Sequence, residues 1–249
     1  MEDTHTKKAV VMIPTYNERE NIEDLITEIL ALDVDVDLSV VVADDNSPDG
    51  TGKIVQKMGE SNGRIHPLIR KKRRGRGAGG VDGFKEALKL SPDFVVEMDG
   101  DFSHQPKHIP DLLDACEDHD LVIGSRFVQG GKDEDRNLAR RIITFFVRSF
   151  IRRKFRIHVR DVSSGFRCFK REVLEEIDLD DLISVNPSIV LEILYKAHLL
   201  DFTIKEVPIE FIDRTRGKTK LNFLILLDTL VMAMQFKKRY TKDNVKRSS

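Results

Sequence analysis

Short apolar runs alternate with stretches of helical periodicity over about the first 125 residues of the chain. The apolar runs predict five strands: Lys8–Pro14, Leu38–Ala43, Ile65–Ile69, Phe94–Met98 and Leu121–Arg126. Apolar residues at helical spacing predict helices between them, near 22–32, after Thr51, near 81–90 and from Pro106 to about 117. This alternation is typical of an α/β fold, with a mostly parallel sheet and helices on both faces. Pro67 would confine the third strand to an edge or a bulge.

The second part of the chain has a different pattern. Residues 140–155 combine apolar positions with a polar stripe at four-residue steps, which predicts a basic amphipathic helix. The stripe consists of Arg140, Thr144, Arg148 and Arg152. Further elements are predicted as helices at Glu172–Ile177 and Ile189–Leu199 and a strand at Thr203–Val207. Leu221–Phe236 is apolar almost all round, yet shorter than the ~18–20 residues that a membrane span requires.

The basic helix allows two interpretations. It could be a core-packed helix with solvated arginines, which is the commoner case for such patterns. The apolar segment 221–236 and the lysines that flank it favour a helix on a membrane surface instead. Several Lys or Arg side chains near an anionic leaflet, at about 1 kcal/mol each, would hold a peripheral protein there.

Charge and composition narrow the classes of function. The 249 residues carry a net charge of −1, so we expect no nucleic-acid partner. Basic residues nevertheless cluster at Arg64–Arg76, at Arg136–Arg160 and in the tail from Lys237. Cys116 and Cys168 are far apart, which indicates neither a disulfide scaffold nor zinc and is typical of a reducing compartment. We expect no signal peptide, because the first residues are polar.

Polar loops follow three of the predicted strands, at Pro14–Glu18, Asp44–Thr51 and Asp99–His104. Carboxyl ends of parallel strands share one edge of a sheet, so we expect these loops to converge. A tyrosine, several acids and a carboxylate pair suit a nucleotide, with Asp99 and Asp101 holding Mg²⁺ or Mn²⁺ against phosphate. Gly100 between them lets a ligand approach closely. For each loop alone, the alternative is ordinary turn and helix-capping chemistry.

Gly75–Gly80 matches the G-x-G-x-x-G spacing of dinucleotide-binding folds. We discount the match, because Lys71–Arg74 separates it from the preceding strand and the unit is not the first βαβ. A flexible basic loop that folds over an anionic ligand fits better, and a solvated charge run is equally compatible. His104 is expected to pack or hydrogen-bond beside the acidic loop rather than to bind metal. No P-loop and no Ser/His/Asp set of recognisable spacing is found, which disfavours a nucleophilic hydrolase.

With these motifs laid out, the chain resembles the dolichol-phosphate mannosyltransferases, a polyprenyl-phosphate branch of glycosyltransferase family 2 with the GT-A fold. The segments that carry the resemblance are Pro14–Glu18, Asp44–Thr51, Asp99–His104, Gly124–Arg126, Ser164–Arg167 and Asp213–Lys220. The chain departs from the family pattern at Arg74–Gly77, where Leu-Gly-Leu-Gly is usual, at Gly100, where Ala is usual, and at Thr219, where Ser is common. The resemblance implies a catalytic GT-A domain over residues 1–220, followed by an apolar interfacial helix and basic tail over 221–249.

The resemblance also implies roles for particular residues. The guanosine would be held by Pro14, Tyr16, Glu18, Ala43 and Asp45. Ribose and diphosphate would meet Asp99, Gly100 and Asp101, and the metal would be held by Asp99, Asp101 and Ser103. Arg214 and Lys220 would neutralise the leaving diphosphate. The acceptor phosphate would be held by Arg126, Arg140 and Thr144, with Arg126 also next to the nucleotide sugar. Asp101, Arg126, Arg214 and Lys220 are the implied catalytic set.

The reaction implied is transfer of mannose from GDP-mannose to a polyprenyl (dolichyl) monophosphate, with inversion and with Mg²⁺ or Mn²⁺. It would take place at the cytoplasmic face of a membrane, where the protein would be peripheral, and the resemblance leaves open a small membrane-tethering subunit. The nearest alternative is a transferase of glucose from UDP-glucose, or of another nucleotide sugar, to the same lipid. A non-catalytic nucleotide-sugar-binding module and a dinucleotide-dependent oxidoreductase are the alternatives from other classes.

Overall fold

A computed structural model describes residues 6–71, 75–133, 138–212 and 223–245, with the backbone alone at 138–142 and 223–227. The strands are β1 (Lys8–Thr15), β2 (Asp37–Asp44), β3 (Ile65–Ile69), β4 (Phe94–Glu97), β5 (Leu121–Ser125), β6 (Lys132–Asp133), β7 (Arg167–Lys170), β8 (Ile204–Pro208) and β9 (Glu210–Phe211). Seven of them form one sheet in the order β3-β2-β1-β4-β7-β5-β8, and β6 pairs with β9. Only β7 runs antiparallel to its sheet neighbours, so the predicted mostly parallel sheet is confirmed.

The helices lie between these strands and after them. They are α1 (Ile22–Leu30), α2 (Thr51–Ser61), α3 (Arg76–Lys89), α4 (Ile109–Asp118), α5 (Leu138–Phe155), α6 (Arg171–Glu176), α7 (Ile189–Leu199) and α8 (Phe223–Arg239). A 3₁₀ turn, Pro106–His108, precedes α4. As predicted from Pro67, β3 lies at an edge of the sheet, where a residue without an N–H removes no ladder hydrogen bond.

Alternate residues of β1 enter two separate apolar layers. Val10 and Met12 belong to the layer that contains residues of α3, α5, α7 and α8. Val11 and Ile13 belong to the other layer, formed with residues of α1, α2 and α4. Since successive side chains of a strand point to opposite faces, the continuous apolar run of β1 reflects burial on both sides.

The glycine-rich segment is a helix start, and the prediction of a flexible loop over 75–80 is wrong from Arg76 onward. Arg76 is the first residue of α3, and Gly77, Gly79 and Gly80 are buried in its first turns. A Cβ on Gly77 would lie 2.6 Å from the carbonyl oxygen of Ser184. Small residues here allow close contact between backbones, which offsets the poor helix propensity of glycine.

The sequence pattern does not predict strand β7, because Ser163–Arg167 is typical of a turn. The first and last of its four residues, Arg167 and Lys170, are basic, so the strand does not form the apolar run by which the other strands are predicted. Arg167 is fully buried, and its guanidinium donates to the carbonyl oxygens of Ser164 and Val190, at 2.7 and 2.5 Å. This arginine joins β7 to the start of α7 by satisfying backbone acceptors.

Helix α5 turns its aromatic side chains outward. Phe145, Phe146 and Phe150 are 56%, 65% and 47% exposed. Arg148 instead lies against the protein, with its guanidinium carbon 3.7 Å from the centroid of the Phe127 ring. The interpretation with a buried apolar face and solvated arginines is therefore wrong at these positions.

Helix α8 closes one side of the molecule. Ala233 and Phe236 of α8 and Tyr240 directly after it are buried, whereas Val231 and Met234 are exposed. The Tyr240 hydroxyl donates to Glu192 of α7 at 2.7 Å. Over the ranges that the structure describes, no helix combines the length and the hydropathy needed to cross a bilayer.

Candidate active site

The three polar loops converge at one edge of the sheet, as predicted. Hydrogen bonds join the first two: Asp45 N–H to Thr15 O (2.9 Å), Asn17 N–H to Ser47 Oγ (2.9 Å) and Glu18 N–H to Thr51 Oγ1 (3.0 Å). The third loop touches the first, because a Cβ on Gly100 would lie 3.0 Å from Thr15 Cγ2 and 3.5 Å from Glu18 Cγ. β1 and β2 pair Pro14 with Ala43, and Tyr16 lies half-buried just beyond them.

Asp45 is held in a buried network. One carboxylate oxygen accepts from Nη1 of Arg70, which is itself buried, and the other accepts from the Gly75 N–H at 2.9 Å. Arg70 also donates through Nε to Asp82 at 2.9 Å. The carboxylate of Asp45 is therefore oriented before any ligand arrives, by donors from the residue after β3 and the residue before α3.

The loop after β4 is folded around its own acids. Ser103 donates both its N–H (3.1 Å) and its hydroxyl (2.5 Å) to Oδ1 of Asp101, which is 6% exposed. The Asp99 N–H donates to Nδ1 of His104 at 3.0 Å. This accepting imidazole stacks on Phe166, with ring centroids 5.0 Å apart.

Burial lowers the pKa of His104 and outweighs the carboxylates of Asp99 and Asp101, which raise it. The imidazole is thus neutral and accepts through Nδ1. The prediction that His104 packs and hydrogen-bonds beside the acidic loop is confirmed.

Arg76 lies directly over the acids at the end of β4. Its Nη2 and Nε are 2.8 and 3.3 Å from Oδ1 of Asp99, and its Nη1 is 3.3 Å from Oε1 of Glu97. Burial disfavours the charged guanidinium, but Asp99 and Glu97 outweigh it and raise the pKa of Arg76. For buried Glu97, burial raises the pKa of the carboxyl despite the opposing charges of Arg76 and Arg167.

Arg126 follows β5 at the same edge of the sheet. Its Nε and Nη2 donate to the two oxygens of Asp161 at 2.7 and 2.8 Å, and Nη2 also donates to Ser163 at 2.9 Å. Both members of this ion pair are buried. Burial opposes ionisation of Asp161, but the charge and hydrogen bonds of Arg126 lower the pKa of the carboxyl. Asp161 was not predicted, because nothing in its local sequence marks it as the partner of an arginine 35 residues earlier.

One aromatic side chain connects Arg126 to the acidic loop. The centroid of the Phe211 ring lies 5.7 Å from the centroid of the His104 ring. The same Phe211 centroid lies 5.1 Å from the guanidinium carbon of Arg126. Just beyond it, the Ile212 N–H donates to Ser103 O at 3.3 Å. The chain therefore reaches the acidic loop immediately before residue 213.

Three predicted residues cannot be placed as side chains. Arg214 and Lys220 lie outside the described residues, and Arg140 is described by its backbone in α5 alone. Thr144 lies half-buried in the same helix. The structure therefore brings together the donor-side residues and Arg126, while their relation to Arg214, Lys220 and Arg140 stays a prediction.

The oxygen donors present fit a hard divalent ion. Asp99, Asp101 and Ser103 offer carboxylate and hydroxyl oxygens within one short loop, the ligand type that Mg²⁺ and Mn²⁺ take. Among the described residues, no three acidic, histidine or cysteine side chains converge as a complete metal cage. This arrangement suits an ion that completes its shell with phosphate oxygens and water.

A family model for glycosyl transferase family 2 matches residues 10–178 of the chain. The chain belongs to glycosyltransferase family 2. The match covers the three polar loops at the sheet edge, together with Arg126 and its partner Asp161. A dinucleotide-dependent oxidoreductase is excluded by this membership.

Curated relatives agree with this assignment. The chain is 35% identical over 219 residues to a polyprenol monophosphomannose synthase of Mycolicibacterium smegmatis, covering 87% of this chain and 82% of that protein. It is 34% identical to an undecaprenyl-phosphate mannosyltransferase of Micrococcus luteus, covering 90% and 91%. It is 37% identical to a dolichol-phosphate mannosyltransferase of Pyrococcus furiosus, covering 86% of this chain and 59% of that longer protein.

Solved structures confirm the GT-A-like fold. Glucosyl-3-phosphoglycerate synthase from Mycobacterium tuberculosis, in complex with Mn²⁺, UDP-glucose and phosphoglyceric acid, superposes with a TM-score of 0.62 at 21% identity. The match covers 93% of this family 2 chain and 77% of the synthase. At this identity the likeness establishes the fold alone.

Proposed function

We propose that this glycosyltransferase transfers mannose from GDP-mannose to a polyprenyl monophosphate. The observation that carries the proposal is the convergence of Asp45, Asp101 and Arg126 on one sheet edge, in a chain whose relatives bear polyprenyl-phosphate mannosyltransferase names. Acids that suit a nucleoside and a metal-bound diphosphate lie on one side of this edge. A buried cation that suits a phosphate lies on the other.

On the donor side, Asp45 and Glu18 supply oriented acceptors for the N–H groups of the guanine base or the hydroxyls of ribose. Pro14, Tyr16 and Ala43 form the surface beside them. Fixed hydrogen bonds across the loops mean that little conformational entropy is lost when the nucleotide binds.

At the diphosphate, Asp99, Asp101 and Ser103 would hold Mg²⁺ or Mn²⁺. When bound, the ion neutralises the two phosphates and so improves the leaving group. Arg214 and Lys220 would add positive charge to the same group, and Arg214 is only two residues beyond Ile212, which hydrogen-bonds to Ser103.

On the acceptor side, Arg126 would orient the lipid phosphate together with Arg140 and Thr144 of α5. Asp161 keeps the guanidinium of Arg126 in place through two hydrogen bonds. Because Asp161 and Ser163 accept from Nε and Nη2, Nη1 is the group of Arg126 that would donate to a phosphate oxygen.

The chemical step needs no dedicated base. An acceptor phosphate is already anionic near neutral pH, since its second pKa is about 6. One of its oxygens attacks the anomeric carbon from the face opposite GDP. The new C–O bond forms as the bond to the diphosphate oxygen breaks, and GDP leaves with the electron pair. Catalysis then rests on positioning and on stabilising the departing charge.

The lipid acceptor requires contact with a membrane surface. The outward phenylalanines of α5 and the exposed Val231 and Met234 of α8 are apolar groups that suit the headgroup boundary. We propose a peripheral position on the cytoplasmic face, with a small tethering subunit as a further partner to be sought.

The test is a donor comparison. Purified protein is incubated with a short polyprenyl phosphate, Mn²⁺ and either GDP-mannose or UDP-glucose, and the glycolipid is quantified by mass spectrometry. We expect product from GDP-mannose at least about tenfold faster, since each lost base hydrogen bond in a polar site costs a factor of this order. Faster transfer from UDP-glucose would favour the glucosyltransferase alternative. The synthase with a similar fold is solved in complex with UDP-glucose, which is why this donor is included. Tight donor binding without product would favour a binding module.

A further inference from the structure

Arg76 lies where a cation is needed at the donor site. Three of its five N–H donors bond the carboxylates of Asp99 and Glu97 at 2.8 to 3.3 Å. Within the described part of the chain, the other two make no hydrogen bond, and 23% of the side chain is exposed.

The position of Arg76 is fixed by its neighbours on both sides. The Gly75 N–H donates to Oδ2 of Asp45 at 2.9 Å, and the Gly77 N–H donates to Val185 O at 3.0 Å. Gly165 leaves room for the guanidinium, because a Cβ there would lie 2.8 Å from Nη2. The backbone on both sides of Arg76 is therefore fixed by the fold, and the guanidinium lies between Gly165 and the carboxylates of Asp99 and Glu97.

The location is electrostatically unusual. A cation in the first turn of a helix opposes the helix dipole, so the carboxylates of Asp99 and Glu97 are what hold it there. The fixed positive charge of Arg76 acts in opposite directions on the two ligands of the site. It attracts an anion such as a diphosphate, and it repels a divalent ion from the same carboxylates.

We propose, on the basis of the function proposed above, that Arg76 is a resident cation that binds the donor diphosphate alongside the divalent ion. Its two remaining N–H groups take a phosphate oxygen, as guanidinium groups commonly do. A nucleoside diphosphate therefore binds this enzyme even without metal. The metal in turn binds the nucleotide-free protein more weakly than it would without the arginine.

The experiment is calorimetric titration of GDP into the full chain, once with EDTA and once with saturating Mn²⁺. Wild type is compared with Arg76→Leu, Arg76→Gln and Arg76→Lys, and with Arg171→Leu as a matched control on α6. Arg171 pairs with Glu175 on the surface. Binding of Mn²⁺ alone is followed separately by its electron paramagnetic resonance signal, and thermal unfolding verifies that each variant is folded.

We expect wild type and Arg171→Leu to bind GDP in EDTA within about thirtyfold of their affinity in Mn²⁺, a difference of roughly 2 kcal/mol. Both neutral variants should lose at least about tenfold in EDTA and distinctly less in Mn²⁺, while Mn²⁺ alone binds them more tightly. Arg76→Lys, which keeps the charge, should restore part of the metal-free affinity.

Two results would overturn the inference while leaving the proposed donor intact. One is wild-type binding of GDP in Mn²⁺ but none in EDTA, which leaves the proposed function intact and refutes the role of Arg76. The other is unchanged affinity for GDP in EDTA and for Mn²⁺ alone in the neutral variants. If wild type binds no GDP even with Mn²⁺, the proposed donor is wrong, and the inference is refuted with it.

Discussion

In the proposed function, the donor edge and the outer face of α5 would bind their ligands in opposite ways. At the donor edge, polar groups are buried and bonded to one another before a ligand arrives, as Asp45 and Asp101 show. On α5, large apolar side chains such as Phe146 are left in solvent. A nucleotide with many polar groups rewards fixed donors and acceptors, whereas a lipid surface rewards apolar area without fixed geometry. Arg126, paired with Asp161, lies between the two regions.

Removing Asp161 tests the ion pair that lies between the two regions, and we expect this change to have the largest effect on stability. Asp161→Ala leaves the Arg126 guanidinium buried without its carboxylate, and breaking a buried pair in this way costs about 3–5 kcal/mol. Denaturant unfolding would measure the loss. A change below about 1 kcal/mol, the range of exposed ion pairs, would mean that solvent reaches Arg126 and that the pair is not buried.

The pH dependence of the same pair gives a control. Because the pKa of Asp161 is lowered in the fold, its ionisation stabilises the protein above the unfolded pKa of about 3.9. This contribution is lost as pH falls through the lower folded value. The difference in unfolding free energy between wild type and Asp161→Asn should therefore shrink below about pH 4. A difference that grows on acidification would contradict the ion pair.

Removing Asp101 tests the donor region. Asp101→Ala should lower the transfer rate by about 100- to 1,000-fold, because an oriented charge at the leaving diphosphate is lost. Radiolabelled mannose transfer measures the effect, and unfolding should remain cooperative. Asp24→Ala, on the exposed side of α1, is the matched control and should transfer at the wild-type rate. Equal rates for the two variants would refute the assignment.

Changing the outer face of α5 tests the other region. Replacing Phe145, Phe146 and Phe150 together by Ser should weaken binding to anionic vesicles by at least about tenfold, since apolar area no longer leaves water. Transfer to a short, soluble acceptor should stay unchanged. Loss of that soluble activity with normal vesicle binding would show that these side chains serve the fold or the site instead.

The smallest effect is expected from an exposed ion pair. Glu175→Ala breaks the contact with Arg171 one helical turn earlier, at a cost of about 0.3–0.5 kcal/mol. Comparing the unfolding free energies of Glu175→Ala and Asp161→Ala shows whether burial of an ion pair, rather than charge alone, determines its contribution to stability. A loss similar to that of Asp161→Ala would refute this separation.

The sequence was informative wherever a pattern is local. Apolar runs predicted the first five strands, and their order of alternation with helices predicted a parallel sheet with convergent loops. Sequence patterns failed where contacts between residues far apart in the chain determine the local structure. The helix start at Arg76 depends on contact of Gly77 with Ser184, and β7 depends on acceptors that only the folded chain provides for Arg167. The pairing of Arg126 with Asp161 is likewise visible only in three dimensions.

The central claim is that the acceptor phosphate displaces GDP directly at the edge formed by Asp101 and Arg126. The most direct test is the anomeric configuration of the glycolipid made from GDP-α-mannose, determined by NMR. Direct displacement predicts a β-linked mannosyl phosphate alone. An α-linked product would contradict the account, since it would require an intermediate on the enzyme.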